Sequence, residues 1–381
     1  MQSSTHIQAN PNAIQPAYPS ILDIQAYQIG KPIDELTREL GLTDVVKLAS
    51  NENPLGCSPK VTLAITQELG GLARYPDGNG YYLKQAISDK TQTHLDQITL
   101  GNGSNDILDL IARTFVSSDD AVIYSQYAFV VYQMVTKMQG ATGVEVPAKR
   151  YGHDLEAMLD GVKNNANAKV VFIANPNNPT GTLLTHDDVR AFASQVDALN
   201  KSEHRQVLVV LDEAYIEYSP ESNNRALLDE FDNVILVRTF SKAYGLAGLR
   251  VGYAISSPAV SEMMNRLRQP FNVNTLAQVA AIASLQDDAF IDTCRTMNEQ
   301  QRRWLCKQCD VLGLAFVPSS ANFVMIEVGD GQAVYQALLE QGLIVRPLVG
   351  YGLPNWVRVT VGTPEDNTRL IDTLTDVLET V

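Results

Sequence analysis

Between residues 98 and 254 the chain alternates short, mostly apolar runs with longer stretches of helical spacing, and this rhythm limits the fold more than any other feature. Segments 98–100, 121–124, 141–146, 169–174, 207–211, 234–237 and 251–255 read as strands, rich in β-branched residues and bounded by turn chemistry, while 106–115 has helical apolar spacing. Strands without a polar face have to be covered on both sides, which points to a mostly parallel sheet between two helical layers. After about residue 275 the pattern changes to long helical periodicity over 275–312, a strand at 322–327, a helix at 333–341, strand-like pieces at 343–345 and 356–361, and a last helix. That helix starts at Thr363-Pro364-Glu365-Asp366, with a hydroxyl cap, proline at the first position and acids in the first turn. The expected organisation is α/β: an N-terminal arm over 1–46 packing on the small domain or a partner, a large domain over 47–275 and a smaller C-terminal α/β domain over 276–381.

Sheets of this kind bind ligands beyond the carboxyl ends of their strands, and four polar segments fall there. In the first, Thr239 and Ser241 flank Lys242, and Arg250 follows eight residues later; hydroxyls with a guanidinium suit a phosphate. A lysine among them has a lowered pKa and can form an imine with an aldehyde. The competing reading is a surface loop with an ordinary charged lysine. In the second, Asp212-Glu213-Ala214-Tyr215 closes a very apolar strand. A carboxylate there needs a partner, and a protonated pyridine nitrogen is a suitable one. A Walker-type magnesium ligand is the other reading, but the chain has no G-x-x-x-x-G-K-[ST] loop. The third segment runs from Asn175 to Gly181 and by itself reads equally as a rigid turn. The fourth, Gly101-Asn102-Gly103-Ser104-Asn105, opens a helix whose N–H groups can face an anion, although it lacks the register of a dinucleotide site.

Taken in order, these segments resemble the aspartate-aminotransferase-like superfamily, fold type I of the pyridoxal-phosphate enzymes. Segments 47–56, 74–77, 342–347 and 357–363, with the arm around Tyr27, are similar to the histidinol-phosphate aminotransferase family. The resemblance implies pyridoxal phosphate as cofactor, with Lys242 as Schiff-base lysine and proton shuttle, Asp212 on the ring nitrogen, and Asn178 and Tyr215 on the 3′-oxygen. It assigns the cofactor phosphate to Gly103, Ser104, Asn105, Thr239, Ser241 and Arg250. Tyr127 matches the aromatic that stacks on the ring, with Phe129 two residues on as the alternative. Tyr75 matches a tyrosine that reaches the partner subunit's cofactor, so a homodimer with shared sites is implied. Arg358 and Arg346 would hold the substrate's anionic groups, and Tyr27 and Asn53 would line the pocket. The implied reaction is ping-pong transamination of L-histidinol phosphate with 2-oxoglutarate, giving imidazole-acetol phosphate and glutamate, in histidine biosynthesis. The alternatives are an aromatic or broad-specificity aminotransferase, a decarboxylase of a phosphorylated amino acid, and a non-catalytic aminotransferase-like regulator.

Composition narrows the partners. A net charge of −14 argues against nucleic acid or an anionic membrane as the main partner. The four cysteines give no disulfide framework, and Cys306-x-x-Cys309 reads as two residues on one helical face rather than a metal or redox site. No metal is expected. Residues 2–12 are polar, without the apolar core of a secretory signal, and no stretch reaches the roughly 18 apolar residues of a membrane span. A cytoplasmic enzyme acting on small molecules is the expectation.

Overall fold

The computed structural model describes residues 16–24, 30–220 and 224–380. Its large sheet has seven strands in the order Ile98–Gly101, Gly252–Ile255, Val234–Thr239, Leu208–Asp212, Ala168–Ala174, Ala121–Ser125, Thr142–Val146. Gly252–Ile255 runs antiparallel to both neighbours, and every other pairing is parallel. The apolar strands are buried on both faces. Val171, Ile173, Val209, Leu211 and Leu236 enter one core layer, and Val170, Phe172, Val210, Ile235 and Val237 enter the other. Each such side chain stabilises the fold by roughly 1.5–3 kcal/mol, so a one-residue slip in register is strongly disfavoured.

A second sheet, wholly antiparallel, orders Arg346–Pro347, Trp356–Thr360, Phe323–Glu327 and Phe316–Val317. Its core combines Val324, Ile326, Val357 and Val359 with Leu305 and Cys309 of the helix Asp288–Leu312 and Leu370 and Leu374 of the helix Pro364–Leu378. Cys306 and Cys309 thus lie in one helix with Cys309 in the core, where burial pushes its thiol up to about 12. The last helix has the expected start: Thr363 and Asp366 form a reciprocal capping box.

The helical stretch 275–312 is two helices, Thr275–Leu285 and Asp288–Leu312. Ala277, Ala280, Ala281 and Leu285 of the first pack into the large core. The helix Ile33–Leu40 puts Leu36 against Ala49, Leu339 and Ile344, and Val46–Lys47 pairs in parallel with Leu343–Ile344, so this part of the arm packs on the small domain. Pro19–Asp23 lies instead on the large domain, where Ser20 Oγ donates to Lys137 O.

Candidate active site

The carboxyl ends of the parallel strands and the small sheet enclose a cavity of about 320 Å³. Its lining includes Ser104, Asn105, Asn178, Asp212, Tyr215, Thr239, Ser241, Lys242, Arg250, Arg346 and Arg358, so eleven of the residues singled out from sequence converge on one space. The topology explains how. Residues after the strands ending at Gly101, Ala174, Asp212 and Thr239 reach the same edge of the sheet, whereas Arg250 precedes the inverted strand Gly252–Ile255 and so reaches that edge too.

At one end, Ser104 and Asn105 open the 12-residue helix Ser104–Phe115, whose N-terminal N–H groups favour an anion. Gly103 caps it at φ 86°. A Cβ at Gly103 would stand 2.5 Å from Arg250 Nη2, so the glycine lets the guanidinium close onto the helix end. Arg250 Nη1 donates to Ser241 Oγ at 3.4 Å, and Thr239 Oγ1 accepts from the Ser241 amide at 3.1 Å. Gly252 is equally constrained, since a Cβ there would meet the Ser104 amide nitrogen at 2.7 Å.

In the floor, Lys242 Nζ donates to Ser50 O at 3.0 Å and lies 5.7 Å from the centre of the Tyr215 ring. Burial lowers its pKa to about 8, assisted by the charges of Arg358 and Arg250 and opposed by Glu52 and Asp212. Asp212 is buried, and burial raises its pKa to about 6, while hydrogen bonds from Tyr132 and the Ala214 amide pull the other way. Tyr215 is pushed up to about 12 by burial and therefore stays a hydroxyl; its oxygen accepts from Asn51 Nδ2 at 2.8 Å. Arg358 Nη1 donates to Asn178 Oδ1, Nη2 donates to Ala49 O at 2.7 Å, and the guanidinium lies 5.2 Å from the Phe323 ring centre. Arg346 and Arg358 are direct partners across antiparallel strands, which puts both side chains on one face of the small sheet. Like charges placed so repel, and an anion between them relieves the repulsion.

Two residues, Tyr127 and Asn53, lie elsewhere than expected. Phe129 lines the cavity and Tyr127 does not; the Tyr127 ring faces Tyr151 at 6.0 Å in an apolar cluster of the small sheet. Asn53 lies behind the cavity. Its Nδ2 donates to Ala243 O at 2.8 Å and its Oδ1 accepts from the Leu55 amide, so it fastens the lysine loop, and Asn51 faces the cavity in its place. Tyr75 is 82% exposed, stacked on Phe271 outside the cavity. Tyr27 lies outside the described residues. Tyr132, Met134, Val131, Ser50 and Tyr351 were not singled out from sequence. Met134 and Val131 belong to a helix, Val130–Met138, whose apolar spacing gives no sign of which face meets a ligand.

A phosphate cradle, a buried carboxylate, a lysine of lowered pKa and paired arginines around one cavity suit a flat heteroaromatic phosphate ester beside an anionic substrate. The family described as aminotransferase class I and II matches residues 43–374. The chain belongs to the class I and II aminotransferases. Within them it is 62% identical to histidinol-phosphate aminotransferase 1 of Psychrobacter arcticus, over 99% of each chain. It is 50% identical to histidinol-phosphate aminotransferase 1 of Idiomarina loihiensis, over 94% of this chain and 97% of that one. Its fold matches the crystal structure of histidinol-phosphate aminotransferase from Sinorhizobium meliloti in complex with pyridoxal 5′-phosphate, with a TM-score of 0.86 at 29% identity, covering 97% and 99% of the two chains.

Proposed function

We propose that the chain is a pyridoxal-phosphate-dependent transaminase of L-histidinol phosphate, with 2-oxoglutarate as the acceptor. The observation that carries this is the pairing of Arg346 and Arg358 across the small sheet, both lining the cavity that holds Lys242 and Asp212. The names of the relatives that share up to 62% of its residues supply the substrate.

The cavity suits the cofactor on its own chemistry. The Ser104 helix end, the Thr239 and Ser241 hydroxyls and Arg250 offer a phosphate a cradle that a Cβ at Gly103 would obstruct. Asp212, held by two donors, keeps acceptor capacity for a protonated ring nitrogen. Tyr215 and Asn178 would hold the 3′-oxygen, and Phe129 would take the ring face. When bound, pyridoxal phosphate supplies the aldehyde carbon that carries the amino group and the ring that accepts the electron pair left by the α-proton.

The chain's own groups do the rest. Lys242 Nζ, with a pKa of about 8, is partly neutral near neutral pH; it takes the α-proton of the amino donor and returns it. Asp212 keeps the ring nitrogen protonated. Arg346 and Arg358 bind the phosphate of one substrate and the carboxylate of the other, since a guanidinium fork matches both anions. Asn53 holds the Lys242 loop in place.

Tyr75, stacked on the exposed Phe271, supports a homodimer in which Tyr75 reaches the neighbouring site, and sedimentation at twice 41.8 kDa tests this. Among the described residues no helix is long and apolar enough to cross a membrane. With the net charge of −14, this supports small molecules rather than nucleic acid or lipid as partners, and a cytoplasmic setting. Steady-state kinetics with 2-oxoglutarate test the substrate: kcat/KM for L-histidinol phosphate exceeds that for L-phenylalanine. Equal or faster turnover of phenylalanine overturns the substrate assignment and leaves a broad-specificity aminotransferase.

A further inference from the structure

Asp212 has a companion that does not reach the cavity. Tyr132, wholly buried at 0% exposure, donates its hydroxyl to Asp212 Oδ2 at 2.9 Å. The ring is fixed by its surroundings: it stacks on Phe172 at 4.7 Å with 5° between planes, and Phe129 meets it edge-on at 6.0 Å. Tyr132 shares its core layer with Phe172, while Phe240 and Tyr244 beside the lysine lie in the other layer, so the hydroxyl comes from the side opposite the lysine loop. The other oxygen, Oδ1, accepts the Ala214 amide at 3.2 Å. Each carboxylate oxygen is thereby tied once from behind, and the remaining lone pairs face the cavity.

We infer that Tyr132 is a positioning residue for the proposed transamination: its hydroxyl fixes the Asp212 carboxylate against the ring nitrogen of the cofactor. This rests on the pyridoxal-phosphate reading of the cavity. The competing role is plain packing, since a buried tyrosine also fills space. Charge around the pair agrees with positioning. Burial drives Asp212 toward its neutral acid, Glu213 adds to that, and the Tyr132 hydroxyl with the Lys242 ammonium resists it. Tyr132 itself is pushed well above the usual tyrosine range by burial and by Asp212, with Tyr215 and Tyr351 adding to it, so it remains a donor at every working pH. A hydrogen bond to a charged acceptor in such a place is stronger than one between neutral groups.

The test is Tyr132→Phe, which keeps the ring against Phe172 and removes only the hydroxyl. Apoprotein is titrated with pyridoxal phosphate and with its 1-deaza analogue, in which a CH replaces the ring nitrogen. Wild type prefers pyridoxal phosphate, and the variant loses about tenfold of that preference, because only the nitrogen-bearing ring uses Asp212. Its kcat falls by a similar factor, with KM for the amino donor little changed. Retained binding of the deaza analogue shows that the variant is folded. A preference equal to wild type, or an equal loss for both ligands, overturns the positioning role while leaving the cofactor reading intact. If wild-type protein binds neither ligand, both fall together.

Discussion

Two asparagines two positions apart in the loop before the first core helix do different work. Asn51 faces the cavity, bonds Tyr215 and is tied to Thr360 of the small sheet and to Asn322 just before it. Asn53 fastens Ala243, the residue after the lysine. Asn53→Ala leaves the buried Ala243 carbonyl without that donor and is expected to lower unfolding stability by about 1–3 kcal/mol with little change in KM. Asn51→Ala is expected to raise KM and lower kcat. Denaturant melts and steady-state kinetics separate the two, and a kinetic defect in Asn53→Ala at full stability would reverse the assignment. Sequence reading placed Asn53 in the pocket because the segment is recognisable but the direction of each side chain is not: Asn51 has φ 57°, which turns the loop at that residue. The stacking segment is legible only to within two residues, Tyr127 or Phe129, and Phe129, the N-cap of Val130–Met138, is the one that lines the cavity. Lys242, Asp212 and Arg250 were legible because a charged group beside a buried apolar strand has few bland explanations.

At the scale of the element, the seven strands were read nearly to the residue, and for all but the exposed edge strand Thr142–Val146 the reason is burial on both faces. The reversed direction of Gly252–Ile255 was not legible, because an antiparallel strand buried in such a sheet has the same composition as a parallel one. Nor was the break between Thr275–Leu285 and Asp288–Leu312, where the Ser58 hydroxyl donates to Asp287 and Lys60 Nζ donates to Gln286 O from a distant segment. The short 3-10 turn Ile216–Tyr218 carries a buried carboxylate, Glu217, beside the buried Arg238–Glu213 ion pair of 2.8 Å. Burial raises Glu217 from 4.5 to about 7, Arg238 lowering it and Glu213 raising it, and its Oε2 has no hydrogen-bond partner among the described residues. The native state therefore holds this proton more tightly than the unfolded chain. The stability it contributes is fully present below about pH 4.5 and is lost as pH rises through about 7. Glu217→Gln is expected to raise the unfolding free energy at pH 8 by on the order of 3 kcal/mol at most, and to change little below about pH 5. Thermal melts across that window check it; an equal effect at both ends would mean that the charge is not the cause.

Across the whole molecule, the cavity exists because two sheets of different construction meet. The large parallel sheet delivers the phosphate cradle, Asp212 and Lys242 at its carboxyl edge, and the small antiparallel sheet delivers Arg346 and Arg358 as a facing pair. Asn178 on Arg358, and Asn51 on Thr360, join the two. We propose that the unit boundary lies near residue 286, where helix packing changes from the large core to the small one. How the two sheets face each other is not legible in the sequence, because that depends on contacts hundreds of residues apart. We propose that a cofactor is held on Lys242 in this cavity and exchanges with an amino donor there. The most direct measurement is the visible absorbance of protein reconstituted with pyridoxal phosphate, before and after L-histidinol phosphate is added. The expected result is a band that depends on Lys242, is absent in Lys242→Ala, bleaches with the donor and returns with 2-oxoglutarate. A band unaffected by Lys242→Ala, or one that L-histidinol phosphate leaves unchanged, would contradict it.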